Sequence, residues 1–375
     1  MDIEHHHPAP LHSSTTTTEP TKPIKSKRLL LFFNIILLLI GGSGNPLILR
    51  VYYLHGGNRK WFTSFLQVTG FPFLLLPLLF SFLRSPRRHF FLISPFLLLC
   101  STFIGLLTGM DNFFFSYGIS YLPVSTSSLL ISTQLAFTAI FAFLIVKQKF
   151  RASSINAVAL LTFSAVVLGV HANGDRPEGE SNAKYYMGFV MTLSAAVLDG
   201  LILSLVELMY VKSKKKIGYT LVIEIQFVIG VAATAFCVVG MTISKDFQAL
   251  SRERHNYGLG ETKYNLIIVF NTIVTQCFFL GMVGTIKYST ALLGGVILAI
   301  CIPITELLAV FFFHEKFDGQ KGVAFALSLW GTASYFYGEY KSFRRGKGAD
   351  TKAQFPTSCQ ERNHPESLQH SSNPW

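Results

Sequence analysis

Charge is scarce in this sequence. Asp, Glu, Lys and Arg make up 14% of its 375 residues, where a soluble domain carries about 25%. That is too little to cover a water-facing surface. The five cysteines, Cys100, Cys237, Cys277, Cys301 and Cys359, form no CxxC pair and no Cys/His spacing. This excludes a disulfide framework or a metal site, and the thiols read as small buried hydrophobes. No HxxxH, HExxH or GxSxG string occurs, so a membrane enzyme has no constellation to work with. The sequence therefore implies no enzymatic activity, no bound cofactor and no metal.

What it has is long apolar runs. Half of the residues are hydrophobic, and 35 are Phe. One helical crossing of a bilayer needs roughly 20 apolar residues. Runs of that length, without strand-like alternation, predict helices, because an open strand leaves backbone groups unsatisfied in lipid. Ten spans are expected: 29–50, 62–83, 94–119, 123–147, 152–171, 186–210, 219–243, 265–287, 289–313 and 321–340. The connections 172–185 and 244–264 carry Gly, Asn, Asp and Glu and are expected in water. Residues 1–28 and 341–375 are expected to be disordered tails, since they lack the apolar content of a core. The His5-His6-His7 tract reads as part of a floppy tail. Glu4 and Glu19, with no Arg before Arg28, argue against a transit peptide.

The formal net charge of +12 does not point to nucleic acid. The bases sit in short clusters between apolar runs, the pattern that orients a membrane protein. With both termini in the cytosol, the inner segments hold Arg84, Arg87, Arg88, Lys149, Arg151, Lys212, Lys214, Arg344 and Arg345, while Asp175, Glu178, Asp246, Glu253 and Glu315 fall outside. Residues 121–150 align without a gap on 288–317, matching Tyr121 with Tyr288, Thr138 with Thr305 and Lys149-Phe150 with Lys316-Phe317. Those spans run in opposite directions, as in transporters built from inverted repeats. The expected fold is an all-α integral membrane protein, ten helices as two inverted five-helix repeats, 29–171 and 186–340. Spans three and four are expected to face spans eight and nine around a cavity.

Ionisable groups inside a membrane are costly and usually functional. The spans contain Asp111, Asp199, Glu207, Glu224 and Glu306, and the amides Asn45, Gln67, Asn112, Gln134, Gln226 and Gln276. No base lies mid-span. Pro303, three residues before Glu306, is expected to open its helix. The string Gly41-Gly42-Ser43-Gly44-Asn45-Pro46 is expected to break the first span as a flexible, closely packed turn.

Several strings resemble a known family: Tyr121-Leu122-Pro123-Val124-Ser125-Thr126-Ser127-Ser128, Ser132-Thr133-Gln134-Leu135-Ala136-Phe137-Thr138, Gln276-Cys277-Phe278-Phe279, and Pro303-Ile304-Thr305-Glu306-Leu307-Leu308. Together, from about residue 29 to 340, they resemble the plant purine permeases of the drug/metabolite transporter superfamily. The resemblance implies a ten-helix carrier that takes up adenine, cytokinins and related heterocycles with protons, in the plasma membrane. Under it, Gln134, Asn112, Gln67, Gln226 and Gln276 are expected to meet the edges of a purine-like ring, with Phe113 and Phe137 stacking on its faces. Glu306 is the first candidate for the proton, Asp111 the second and Glu224 the third. A sugar-phosphate or nucleotide-sugar carrier would call for deep bases to meet its anionic ligand. A receptor or structural subunit would have little reason to keep acids in so many spans.

Overall fold

A computed structural model of the chain describes residues 24–84, 93–147, 152–170, 181–213, 219–288, 291–315 and 317–353. The tail segments 1–23 and 354–375, with the His5–His7 tract, and the basic connections at 85–92, 148–151 and 214–218 lie outside the described residues. Among the described residues every regular element is helical. In chain order these are α1 Ile24–Leu54, α2 Lys60–Val68, a 3-10 turn Phe71–Leu74, α3 Leu75–Arg84, α4 Pro95–Tyr121, α5 Val124–Ser132 and α6 Gln134–Phe141. A π turn Ala142–Val146 leads to α7 Ala152–Val170, α8 Asn182–Lys212, α9 Tyr219–Ile243, α10 Asp246–His255, α11 Glu261–Tyr288, α12 Ala291–Phe313 and α13 Gly319–Ala353.

Among the described residues, six stretches are long and apolar enough to cross a membrane: Arg28–Leu54, Pro95–Tyr121, Val124–Ile145, Asn182–Lys212, Thr220–Ile243 and Glu261–Met282. Ile155–Val167 and Ile300–Phe313 are shorter apolar helices. Large apolar side chains point outward along them: Leu99 is 73% exposed, Phe311 72% and Ile243 77%. Such a belt suits hydrocarbon.

The second expected span, 62–83, is broken. Gly70 and Pro72 end α2, since Pro has no N–H to donate and fixes its own φ, and the chain tightens into the 3-10 turn before α3. The fourth span also divides. Ser132 and Thr133 turn their hydroxyls onto the Leu129 and Leu130 carbonyls at 2.6 Å, competing with the backbone ladder at the α5–α6 junction.

Two expected breaks are absent. α1 continues through the glycines and Pro46, and α12 continues through Pro303. The glycines serve packing instead. A side chain at Gly41 would overlap the Phe278 backbone on α11, and one at Gly42 would press on the Cys301 thiol of α12. Gly281 does the same for α11, where a Cβ would lie 2.5 Å from the Leu38 nitrogen. The ends also differ from expectation: α1 begins inside the expected tail, α13 runs on to Ala353, and the 244–264 connection folds into α10.

α1 packs along α11 and α12, α4 lies between α8 and α9, α7 pairs with α13, and α5 with α12. An apolar core of Leu97, Ile104, Ile202, Leu221, Ile225 and Ile229 fills the α4–α8–α9 contact.

Because the α1–α11 contact has no room for a methyl at Gly41, Gly41→Ala overpacks it, at about 1–3 kcal/mol. The detergent-purified variant is expected to melt several degrees below the wild type in scanning fluorimetry. Gly319→Ala, placed where nothing lies within 4 Å, is expected to melt with the wild type.

Candidate functional site: a cleft beside a buried acid pair

The break in the second span opens a cleft. It lies between α2 with its 3-10 turn, α4, α9 and α11, and holds about 330 Å³ of empty space, counting that open to solvent. Its polar groups are Thr108, Gln226 and Gln276, and its rings are Phe71 and Phe279. Two glycines make it possible. A side chain at Gly70 would collide with the Gln276 carboxamide, and one at Gly230 with Phe71. Gln276 is buried, and its Oε1 has no hydrogen-bond partner. An amide carries donors and an acceptor side by side, so this one is equipped for a ligand.

One turn along α4 from Thr108 stands Asp111. Its carboxyl is buried, and it faces that of Asp199 on α8 across the α4–α8 contact.

The other expected site residues are placed differently. Gln67 is engaged at both ends of its amide: Oε1 accepts from Asn45 at 3.2 Å and Nε2 donates to Ser116 Oγ at 2.9 Å. Thr275 donates to Asn45 Oδ1 at 3.5 Å, so this seam ties α1, α2, α4 and α11 together. Asn112 turns back on its own helix, donating to the Thr108 carbonyl at 2.7 Å. Phe113 stacks on Trp61 with ring centroids 4.0 Å apart. Gln134 and Phe137 lie on α6, which packs on α7 and α8, and Phe137 abuts Gly200. The cleft thus gathers Gln226 and Gln276 from that set, and its walls come from spans two, three, seven and eight, where spans three, four, eight and nine were expected.

Among the acids, Glu306 is 1% exposed on α12, which packs on α1, α5, α11 and α13. Glu224 is equally buried and accepts the Ile93 N–H at 3.0 Å, closing the start of α4. Two bases are buried after all. Arg50 donates to the Ile119 carbonyl at 3.2 Å and Lys321 to Ser125 Oγ at 2.7 Å. Both stand near helix ends, against protein groups, away from the cleft.

A family profile described as purine nucleobase transmembrane transport matches residues 29–345. The chain belongs to this family. It is 48% identical over 309 residues to Purine permease 3 of Arabidopsis thaliana, covering 80% of this chain and 88% of the relative. To Purine permease 2 of the same plant it is 46% identical over 337 residues, covering 85% and 94%. Probable purine permease 5 is 34% identical over 296 residues, at 79% and 82%.

One end of the transporter is latched. Glu253 on α10 accepts from the Tyr52 hydroxyl, from Tyr264 at 3.2 Å and from the Asn58 N–H at 3.3 Å. Arg59 reaches Glu253 and Asp246 at 3.4 Å each. Burial pushes the Tyr257 hydroxyl up to about 12. It also raises the Asp246 carboxyl, overcoming the opposing pull of Ser244 and Arg59. At the start of α5, Glu315 accepts the Val124 and Ser125 N–H groups at 2.7 and 3.0 Å, a carboxylate on a helix N-terminus.

Reading the sequence passed over Asn271, Trp61 and the partnership of Asp199. Asn271 stood in the eighth span as an amide among apolar residues, which was the available signal. The acid partnership left no local trace.

Asp246 has a folded pKa raised above its unfolded value of about 3.9, so its charged form burdens the fold at neutral pH. Asp246→Asn is expected to raise the melting temperature at pH 7. The gain should vanish as the pH falls below about 4, where folded and unfolded Asp246 are both protonated. Melting curves from pH 3.5 to 8 check this.

Proposed function

We propose that the chain is a secondary carrier that imports purine-type heterocycles, such as adenine and cytokinins, together with protons. The observation that carries this reading is the cleft with two neutral carboxamides and two phenyl rings, one helical turn from a pair of facing carboxyls. Neutral donors and acceptors match an uncharged ring without the desolvation cost of a fixed charge. Phenyl faces stack on it.

The acid pair supplies the coupling. Two carboxyls facing each other in a buried place favour sharing a proton over carrying two charges, and α4 carries both Asp111 and the cleft residue Thr108. Movement of α4 against α8 changes the acid contact and the cleft together. Glu306 and Glu224 take second place, because Glu224 serves the start of α4 and Glu306 is not among the residues lining the cleft.

The inverted repeat has support in the packing. A two-fold axis in the membrane plane relates span one to six, two to seven, three to eight, four to nine and five to ten. α1 on α11 then corresponds to α8 on α4, and α1 on α12 to α8 on α5 and α6. The α5–α12 and α7–α13 pairs map onto themselves. The cleft, lined by spans two, three, seven and eight, lies on that axis, where such carriers bind substrate. We assign both termini to the cytosol, the side favoured by the basic segments, with the Glu253 latch outside, and the carrier to the plasma membrane.

Counterflow of radiolabelled adenine in proteoliposomes tests the transport reading, and absent counterflow sinks it. Gln226→Leu and Gln276→Leu each delete a hydrogen bond to a buried partner, about 1–3 kcal/mol, so KM for adenine should rise roughly 5- to 150-fold. Asp111→Asn and Asp199→Asn should keep adenine exchange while losing accumulation driven by a pH gradient. If both variants still accumulate adenine against the gradient, the proton belongs to Glu306 or Glu224, and Glu306→Gln becomes the deciding variant.

A further inference from the structure

Asn271 on α11 is 1% exposed, and neither its Oδ1 nor its Nδ2 has a hydrogen-bond partner. Leaving such a group unsatisfied costs about 1–3 kcal/mol, a cost that a Leu at the same place would avoid. The side chain faces a cavity between α1, α2 and α11 with about 180 Å³ of empty space. Ile48, Leu49, Leu66 and Ile267 form its apolar walls, and Tyr52 and Thr63 complete it. The Tyr52 hydroxyl is held by Glu253, and that of Thr63 by Tyr53 and the Lys60 carbonyl. Among the described residues, the open donor and acceptor in this cavity are those of Asn271.

We propose that Asn271 and its cavity form a second purine subsite, on the latch side of the cleft, where the carboxamide pairs with the donor–acceptor edge of the ring. The inference rests on the transport reading above. A carboxamide presents its C=O and NH₂ side by side, the arrangement with which Asn and Gln read the N6 amine and N7 of adenine. Asn271 and Gln276 are five residues apart, about 7.5 Å along the helix and about 140° round it, so they face separate cavities of α11, and Thr275 of the Asn45–Gln67–Thr275 seam stands beside Gln276.

As it stands the enclosed space has room for about one water molecule, far below the ~300–1,000 Å³ usual for a ligand site, so α1 and α2 must move off α11 to admit a ring. The same Tyr52 that walls the cavity donates to Glu253, which makes release of the latch the opening step.

The test uses the full-length carrier in proteoliposomes, with adenine and unsubstituted purine, which lacks the exocyclic amine, as substrates. Asn271→Leu is expected to raise KM for adenine roughly 5- to 150-fold and to erase the preference for adenine over purine. Asn271→Ser, a smaller change that also deletes the amine donor, should erase the same preference and decides the matter if Asn271→Leu does not fold. An unchanged adenine KM and preference in either folded variant overturns the subsite, as does a loss of rate alone. If the wild type shows no adenine counterflow, the transport reading and the subsite fall together. Wild-type counterflow with an indifferent Asn271 removes the subsite only.

Discussion

Hydrocarbon offers no hydrogen-bond partner, and the rest of this structure follows from that constraint. Backbone groups must be satisfied within the chain, so among the described residues every regular element is helical. Side chains face the same demand. Ser and Thr hydroxyls return to carbonyls one turn back, as in Thr108 on Ile104 and Thr242 on Val238 at 2.9 and 2.8 Å. Other polar residues reach across helices, as in the seam through Asn45, Gln67, Ser116 and Thr275 and in the Asn156–Ser334 and Ser132–Ser328 pairs. Without a hydrophobic drive between helices, close approach has to come from small residues. Gly41, Gly42 and Gly281 let α1 settle onto α11 and α12.

Against that background the unsatisfied groups stand out. Gln276 and Asn271 each keep a buried amide atom without a partner, and both border a cavity. Both sit on α11, whose neighbours include α1, α2 and α12. The acid pair stands on the opposite side of the cleft, at the α4–α8 contact. Helix α4 therefore touches the cleft through Thr108 and the acids through Asp111, and it joins the two without any long relay. Glycine does for the cleft what it does for the core: Gly70 and Gly230 clear the space that Gln276 and Phe71 occupy.

How far the sequence could be read follows from what is local. Apolar runs are a property of consecutive residues, so the helical class and the places of the spans were legible. Boundaries were less so: the 62–83 run looked continuous, and only the geometry of Gly70, Phe71 and Pro72 divides it. The Gly41–Pro46 string was legible as close packing but not as an unbroken helix, because Pro46 costs one backbone bond and the packing around α1 holds the rest. Buried bases were missed at Arg50 and Lys321, since both lie near helix ends and their depth depends on neighbours far along the chain.

The sequence by itself determined the helical membrane class, the family and the inventory of amides and acids held within the spans. The tertiary structure decided which of them meet. A residue's membership of a span depends on some twenty neighbours in the chain, but its partner depends on the rotation of its helix and on which helix lies against it. Gln67 and Gln276 look alike in sequence. One is locked between Asn45 and Ser116, the other points into a cleft, and only the crossing of α2 over α11 separates them. Asp111 and Asp199 face each other because α4 lies along α8, a contact set by shape and packing across the whole bundle.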